Sequence, residues 1–169
     1  DSFSIQVADA FVETCLQHHA ADEVDRLNLF ELGMPPFAGP TAAAKYTLMS
    51  GQDFPDEERE AWSYVEELIE RFKAADKYAF AVPMWNFGIP YILKQYFDFI
   101  VQPGYTFDFE APKGETGLVE GPCFAAYARG GQYKTGPEGD PFDIQKSYLE
   151  AILGFIGLKQ IRSVVVQPT

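Results

Sequence analysis

The sequence predicts an α/β domain built on a doubly wound parallel sheet with helices on both faces. Three observations predict it. Stripes of helical spacing alternate with short apolar runs along the 169 residues, the pattern that builds parallel sheets. The run Tyr78–Val82 is apolar throughout and bounded by turn residues, as suits a strand buried on both faces. That run leads through Pro83-Met84-Trp85-Asn86-Phe87-Gly88 into a helix opened by Pro90. Strand-loop-helix junctions are where open α/β sheets bind ligands, and the aromatic loop suggests a flat one.

The elements follow in order. Ile5, Ala8, Val12 and Cys15 form a helical stripe, predicting a helix over residues 4–18, with His18 and His19 at its solvated end. Glu23 to Leu32 reads as a short strand, broken by Gly33-Met34-Pro35-Pro36. Residues 37–54 are small, polar or rich in Pro and Gly and read as a long surface loop. A helix over 56–75 carries the stripe Trp62, Val65, Ile69, Phe72, with acids in its first turn and Arg71 and Lys73 in its last turns. Tyr78–Val82 is the next strand, and Pro90 sits at the first position of a helix reaching Val101. A long excursion over 102–121 precedes the strand Pro122–Ala128. A helix carrying Phe142, Tyr148, Ile152 and Phe155 ends at Gly157. Ile161–Gln167 is the last strand.

The chain reads as a single domain over 1–169, long enough to bury a core without staples. A doubly wound sheet opens on a strand ahead of its first helix, whereas Asp1 falls where the connecting loop should be, and Thr169 follows directly on a strand. The first strand and a C-terminal helix are therefore expected to lie outside this chain.

Composition narrows the function. Hydrophobic residues make up 47% and aromatics 15%, which argues against disorder. A net charge of -12 repels phosphate backbones, so nucleic acid is not expected as a partner. No apolar stretch is long enough for a membrane span. Cys15 and Cys123 sit in apolar patterns without metal-ligand spacing and read as buried, reduced thiols of a cytoplasmic protein. A Walker A motif, an HExxH helix, a nucleophile elbow and a carboxylate pair are all lacking, and two adjacent histidines cannot make a triad. No metal site and no catalytic side chain are expected, so any enzymatic chemistry has to come from a bound cofactor.

Three loops should converge at the carboxyl ends of the strands. Ser2, Phe3 and Ser4 open the first helix with hydroxyls and free amides, a setting for an anion. Pro83, Met84, Trp85, Asn86 and Phe87 form the aromatic loop. Ala128, Arg129, Gly130 and Gly131 follow the strand Pro122–Ala128, and glycines let backbone amides approach a ligand. One phosphate cradle and two loops for a flat polar ring match the shape of FMN.

The segments PMWNFGIPYILKQYFDFI, PGYTFDF, GLVEG, ARGG and LGFIG resemble the FMN-dependent NADH-azoreductase and NAD(P)H:quinone oxidoreductase family, over nearly the whole chain. The resemblance implies a flavodoxin-like fold with strand order 2-1-3-4-5 and a homodimer holding FMN near the subunit interface. It implies ping-pong hydride transfer from NADH or NADPH through the flavin to a quinone or azo compound. By motif, Ser2, Phe3 and Ser4 fall on the phosphate loop, and Met84 to Phe87 run along the flavin ring. Ala128 to Gly131, with Tyr133, lie on its other polar edge, and Phe107, Phe109 and Phe155 shape the substrate cavity. This chain departs from the family pattern at Trp85, where many members carry Tyr, at Ala128, where many carry Ser, and at Tyr133, where some carry His. The alternative is a flavodoxin-like FMN electron carrier or redox-sensing binding protein without small-substrate turnover.

Overall fold

The computed structural model describes residues 2–108, 117–134 and 139–169. Its sheet has three strands, β1 (Tyr78–Pro83), β2 (Pro122–Ala128) and β3 (Gln160–Val166), in the order β1-β2-β3 and all parallel. The register sets Pro83 beside Ala128 and Ala128 beside Val166, so the three carboxyl ends finish flush. Helices α1 (Phe3–His18), α2 (Pro40–Met49), α3 (Asp56–Lys73), α4 (Tyr91–Ile100) and α5 (Ile144–Phe155) complete the architecture. Among the described residues no helix is long and apolar enough to cross a membrane.

Alternation along β2 divides the core between two faces. Phe124 and Ala126 face α1, where Ala8 packs on them and the Phe11 ring stacks on Phe124 at 4.0 Å. Cys123, Ala125 and Tyr127 join the larger core with Trp62, Val65 and Ile69 of α3, Phe97 of α4, and Leu149 and Leu153 of α5. Each fully buried side chain of this kind contributes about 1.5–3 kcal/mol. Burial also silences Cys123, whose thiol is pushed up to about 12. Cys15, expected buried, is only partly so because it lies toward the outer end of α1.

The stripe of α3 is buried as predicted, with Leu68 added, and its acidic start and basic end complement the macrodipole. Other expectations need correction. Glu23–Leu32 joins no sheet: a strand exists only when its backbone is paired, and none of the described strands lies beside it. The segment is held by side chains instead. Lys77 bonds Asp22 at 2.6 Å, Arg71 chelates Asp25 at 2.6 and 2.7 Å, Arg26 pairs with Asp9, and Leu27, Leu29 and Leu32 pack on the core. The expected loop over 37–54 contains α2, which Pro40 opens, alanine propensity favours, and the packing of Ala44 and Leu48 on the core holds; with only Thr41 and Ala44 fully buried, no strong apolar stripe announces it. β1 is buried on one face only, because Ala79 and Ala81, which share the face of Phe124 and Ala126, remain exposed. Pro90 is the N-cap of α4 rather than its first residue, and Phe142 precedes α5 instead of belonging to it, Asp143 having taken the cap.

Candidate functional site

The flush strand ends place the loops. α1 runs antiparallel to the strands: Ala8 packs among Phe124 and Ala126, and Phe11, one turn on, stacks on Phe124. Its first turn, Ser2 to Ser4, is thereby brought toward the carboxyl end of the sheet. The side chain of Ser2 makes no bond to the helix amides; its hydroxyl instead lies 2.9 Å from that of Ser4, which is fully buried. The first-turn amides of α1 are left for something outside the helix.

The second loop leaves β1 at Pro83. Met84 N–H donates to the Ala128 carbonyl at 2.8 Å, carrying the sheet's pairing one residue into the loop. Trp85 and Gly88 then exchange two backbone bonds of 3.0 Å around Asn86 and Phe87, whose φ angles are +46° and +71°. Positive φ at both central residues is what a type I′ turn requires. Asn tolerates it, whereas for a bulky ring it is strained. The turn holds Trp85 and Phe87 outward, 44% and 43% exposed. The Phe87 ring rests against Phe142 at 5.0 Å and meets Tyr133 edge-on at 6.4 Å. Trp85 forms a triangle with Phe30 and Tyr91, at 6.1 and 6.3 Å.

The third loop begins at Arg129, whose side chain is wholly buried. Its Nε donates to Gln145 Oε1 at 2.9 Å and its Nη2 to Asp143 Oδ1 at 2.7 Å. Gln145 Nε2 in turn donates to the Val82 carbonyl at 2.8 Å. The backbone of Arg129 donates to Val166 O at 3.0 Å and accepts from Thr169 N at 2.9 Å. Arg129 and Gln145 together thus tie all three strand ends to the start of α5. A Cβ on Gly130 would meet nothing within 4 Å, and one on Gly131 would touch the Tyr133 ring at 3.4 Å. Tyr133 is fixed by Gln167, which accepts from its backbone N–H at 3.3 Å and donates to its carbonyl at 2.9 Å.

The structure therefore gathers Ser2, Phe3, Ser4, Pro83 to Phe87, Ala128 to Gly131 and Tyr133 at one end of the sheet. Beside them an open cleft of about 430 Å³ is lined by Trp85, Asn86, Ile89, Tyr91, Ile144 and Tyr148, among others. Phe107 and Phe155 pack on each other at 4.8 Å, but at the far end of α5, about 16 Å along the axis from its first residue. Within one chain they stand apart from the three loops. Phe109, and Asp1 of the first loop, lie outside the described residues. Gln145 and Asp143 were not anticipated. A signal existed for the first: Gln145, Leu149 and Leu153 recur at helical spacing, which sets Gln145 on the buried face of α5.

Known proteins are similar to this chain in sequence and in fold. An FMN-dependent NADH:quinone oxidoreductase of Nitratidesulfovibrio vulgaris is 47% identical over 169 residues, covering 99% of this chain and 80% of that protein. One from Desulfotalea psychrophila is 43% identical, covering 99% of this chain and 79% of that protein. Among solved structures, an azoreductase from Bacillus anthracis superposes with a TM-score of 0.84 at 28% identity, covering 99% and 80% of the two chains. An FMN-dependent NADH-azoreductase from the same species, in complex with FMN, gives 0.79 at 25% identity over 99% and 80%. The model for the flavodoxin-like fold matches residues 1–169. Among the described residues three parallel strands carry the sheet, and the chain belongs to the flavodoxin-like fold family.

Proposed function

We propose that this protein is an FMN-dependent NAD(P)H oxidoreductase that reduces quinones or azo compounds in a ping-pong cycle. What supports the reading is the meeting, at one flush sheet edge, of an anion-ready helix start, an outward-turned aromatic hairpin and an uncluttered glycine pair. The residues present fit FMN. The first turn of α1, with Ser2, Phe3 and Ser4, would hold the phosphate through backbone amides and the Ser2 hydroxyl, which the buried Ser4 hydroxyl supports from 2.9 Å. Met84, Trp85, Asn86 and Phe87 would lie along the ring, and the open space over Gly130 lets backbone approach its polar edge. FMN, when bound, supplies the redox chemistry by accepting hydride from NAD(P)H and passing electrons to the acceptor.

The chain's own residues position and shield. The pair of backbone hydrogen bonds between Trp85 and Gly88 fixes the hairpin, and Phe87, Phe142 and Tyr133, packed on one another, would shield one side of the bound cofactor from water. Exposed aromatic surface accepts flat acceptors by stacking with little demand on their substituents. We further propose one FMN-binding domain over 1–169, a cytoplasmic location and a homodimer. Phe107 and Phe155, at the other end of the sheet, could serve that pocket only across a subunit boundary, so their substrate role depends on the homodimer.

The test is direct. Purified protein should quench FMN fluorescence to a stoichiometric endpoint and oxidise NADH in the presence of a benzoquinone. A protein that stays colourless after FMN is added refutes the proposal. One that holds FMN with negligible NADH turnover is an electron carrier.

A further inference from the structure

We propose that Gln145 and Asp143 are positioning residues for the flavin, acting through the buried Arg129 guanidinium. The inference rests on the FMN reading above. Two of the three loops are joined by this group of side chains. Gln145 donates to Val82 O, the last carbonyl before the aromatic loop, and accepts from Arg129, the residue that leads into Gly130-Gly131. Asp143 bonds the other arm of the same guanidinium while its Oδ1 also accepts from Lys146 N at 3.2 Å to cap α5. The residue before it, Phe142, carries the ring that supports Phe87.

Gln145 and Arg129 have relative exposures of 0% and 1%, so neither side chain is presented to solvent. Their effect on a ligand has to travel through the backbone they hold. Both loops would meet the flavin mainly through main-chain amides, and such donors must sit within roughly 0.5 Å of the productive geometry. If the Gln145 bridge is removed, Val82 and Arg129 lose their shared anchor, and the gap between the two loops is no longer set. The hydrogen bonds named for this group involve no residue of the α3 stripe, so Ile69 lies outside the bridge that the variants disturb.

A purely structural role predicts that FMN affinity falls only as far as stability does, and the experiment separates the two. FMN dissociation constants and visible spectra of the bound flavin would be measured for the intact protein and for Gln145→Met, Asp143→Asn and Ile69→Val, with melting temperatures for each apoprotein. Gln145→Met should raise the FMN dissociation constant about ten-fold or more and shift the visible bands, as misplaced supporting groups do. Asp143→Asn, which retains a cap, should raise it about five-fold, and it decides the matter should Gln145→Met fail to fold. Ile69→Val, a core truncation in α3, should lower the melting temperature yet leave affinity within about two-fold. Smaller rises in the folded site variants, an unchanged spectrum, or losses no greater than those of Ile69→Val at equal stability would overturn the proposal. A parent protein that binds no FMN overturns the flavin reading and this inference with it.

Discussion

At the carboxyl end of the sheet, Trp85, Phe87 and Phe142 leave 44%, 43% and 56% of their surface to solvent, and a Cβ on Gly130 would meet empty space. At the amino end the chain is closed on itself. Gly117, Gly121 and Gly157 each sit where a Cβ would run into neighbouring backbone, and Val119 N–H donates to Ile156 O at 2.9 Å as the two segments cross. The glycines are the same residue in two trades. At one end they allow two parts of the chain to touch; at the other they leave room for something that is not the chain. At the open end buried polar bonds hold the loops from beneath, while the aromatic rings that pack on one another above keep much of their surface exposed.

The sharpest way to break this comparison is to add one methyl at each end. Gly157 has φ +117° and faces Val119 O, so Gly157→Ala combines backbone strain with a clash against backbone that cannot yield. It should cost about 4 kcal/mol or more and show as loss of soluble, cooperatively melting protein. Gly130→Ala should leave the melting temperature within about 2–4 °C of the parent while weakening FMN binding. A stable Gly157→Ala, or a Gly130→Ala that melts early, would erase the distinction.

The amino end also depends on a polar bridge, worth less. Tyr105 Oη accepts from Trp62 Nε1 at 3.2 Å and donates to Glu66 at 2.6 Å, pinning α3 to the segment after α4. Burial, and then the Glu66 carboxylate, push the Tyr105 phenol above its ordinary range, so it stays a neutral donor. Tyr105→Phe strands the indole N–H of Trp62, a residue only 1% exposed, and should cost about 1–2 kcal/mol in denaturant unfolding with FMN binding unchanged.

At the open end the opposite trade is expected. Phe87 holds φ +71°, a conformation costing a bulky residue about 1 kcal/mol or more. Phe87→Gly gives the Asn-Gly pair that a type I′ turn favours, but removes the ring resting on Phe142. Stability should hold or rise by up to about 1 kcal/mol while FMN and quinone binding weaken, read by melting curves beside titrations. A substitution that destabilises the fold would mean that Phe87 serves packing before function.

These contrasts also mark what sequence can carry. The stripe of α3, the three strands and the three loops were legible because periodicity and turn chemistry are local. The paired state of Glu23–Leu32 was not, since an extended run does not reveal whether another strand lies beside it. α2 escaped because its buried face is carried by small side chains, Thr41 and Ala44, that read as loop rather than as an apolar stripe. The handedness of Phe87 is invisible in its identity, which argues against φ > 0. Arg129 was half legible: the alternation Cys123, Ala125, Tyr127 puts it on the core face, but its partners come from an element fourteen residues or more away.

The smallest effect belongs to the segment that crosses between the two ends. Asp22 and Asp25 are held below the usual carboxylate range, first by their hydrogen bonds to Lys77 and Arg71. A carboxylate depressed in the folded state stabilises above its unfolded value near 3.9 and loses that contribution as pH falls through the folded one. Lys77 is raised by the same bond, so its share is full below about 10.5 and fades above it. Both pairs are solvent-exposed, with side-chain exposures of 38% to 63%, and salt will screen them. Asp25→Asn should therefore leave the melting temperature almost unchanged near neutral pH in high salt, with a small loss in low salt that disappears as acidification protonates the depressed Asp25 carboxyl. The more telling readout is hydrogen exchange over residues 22–32, which should quicken in the variant. If exchange there stays slow, Leu27, Leu29 and Leu32 hold the segment unaided, and its charges do no more than keep it soluble.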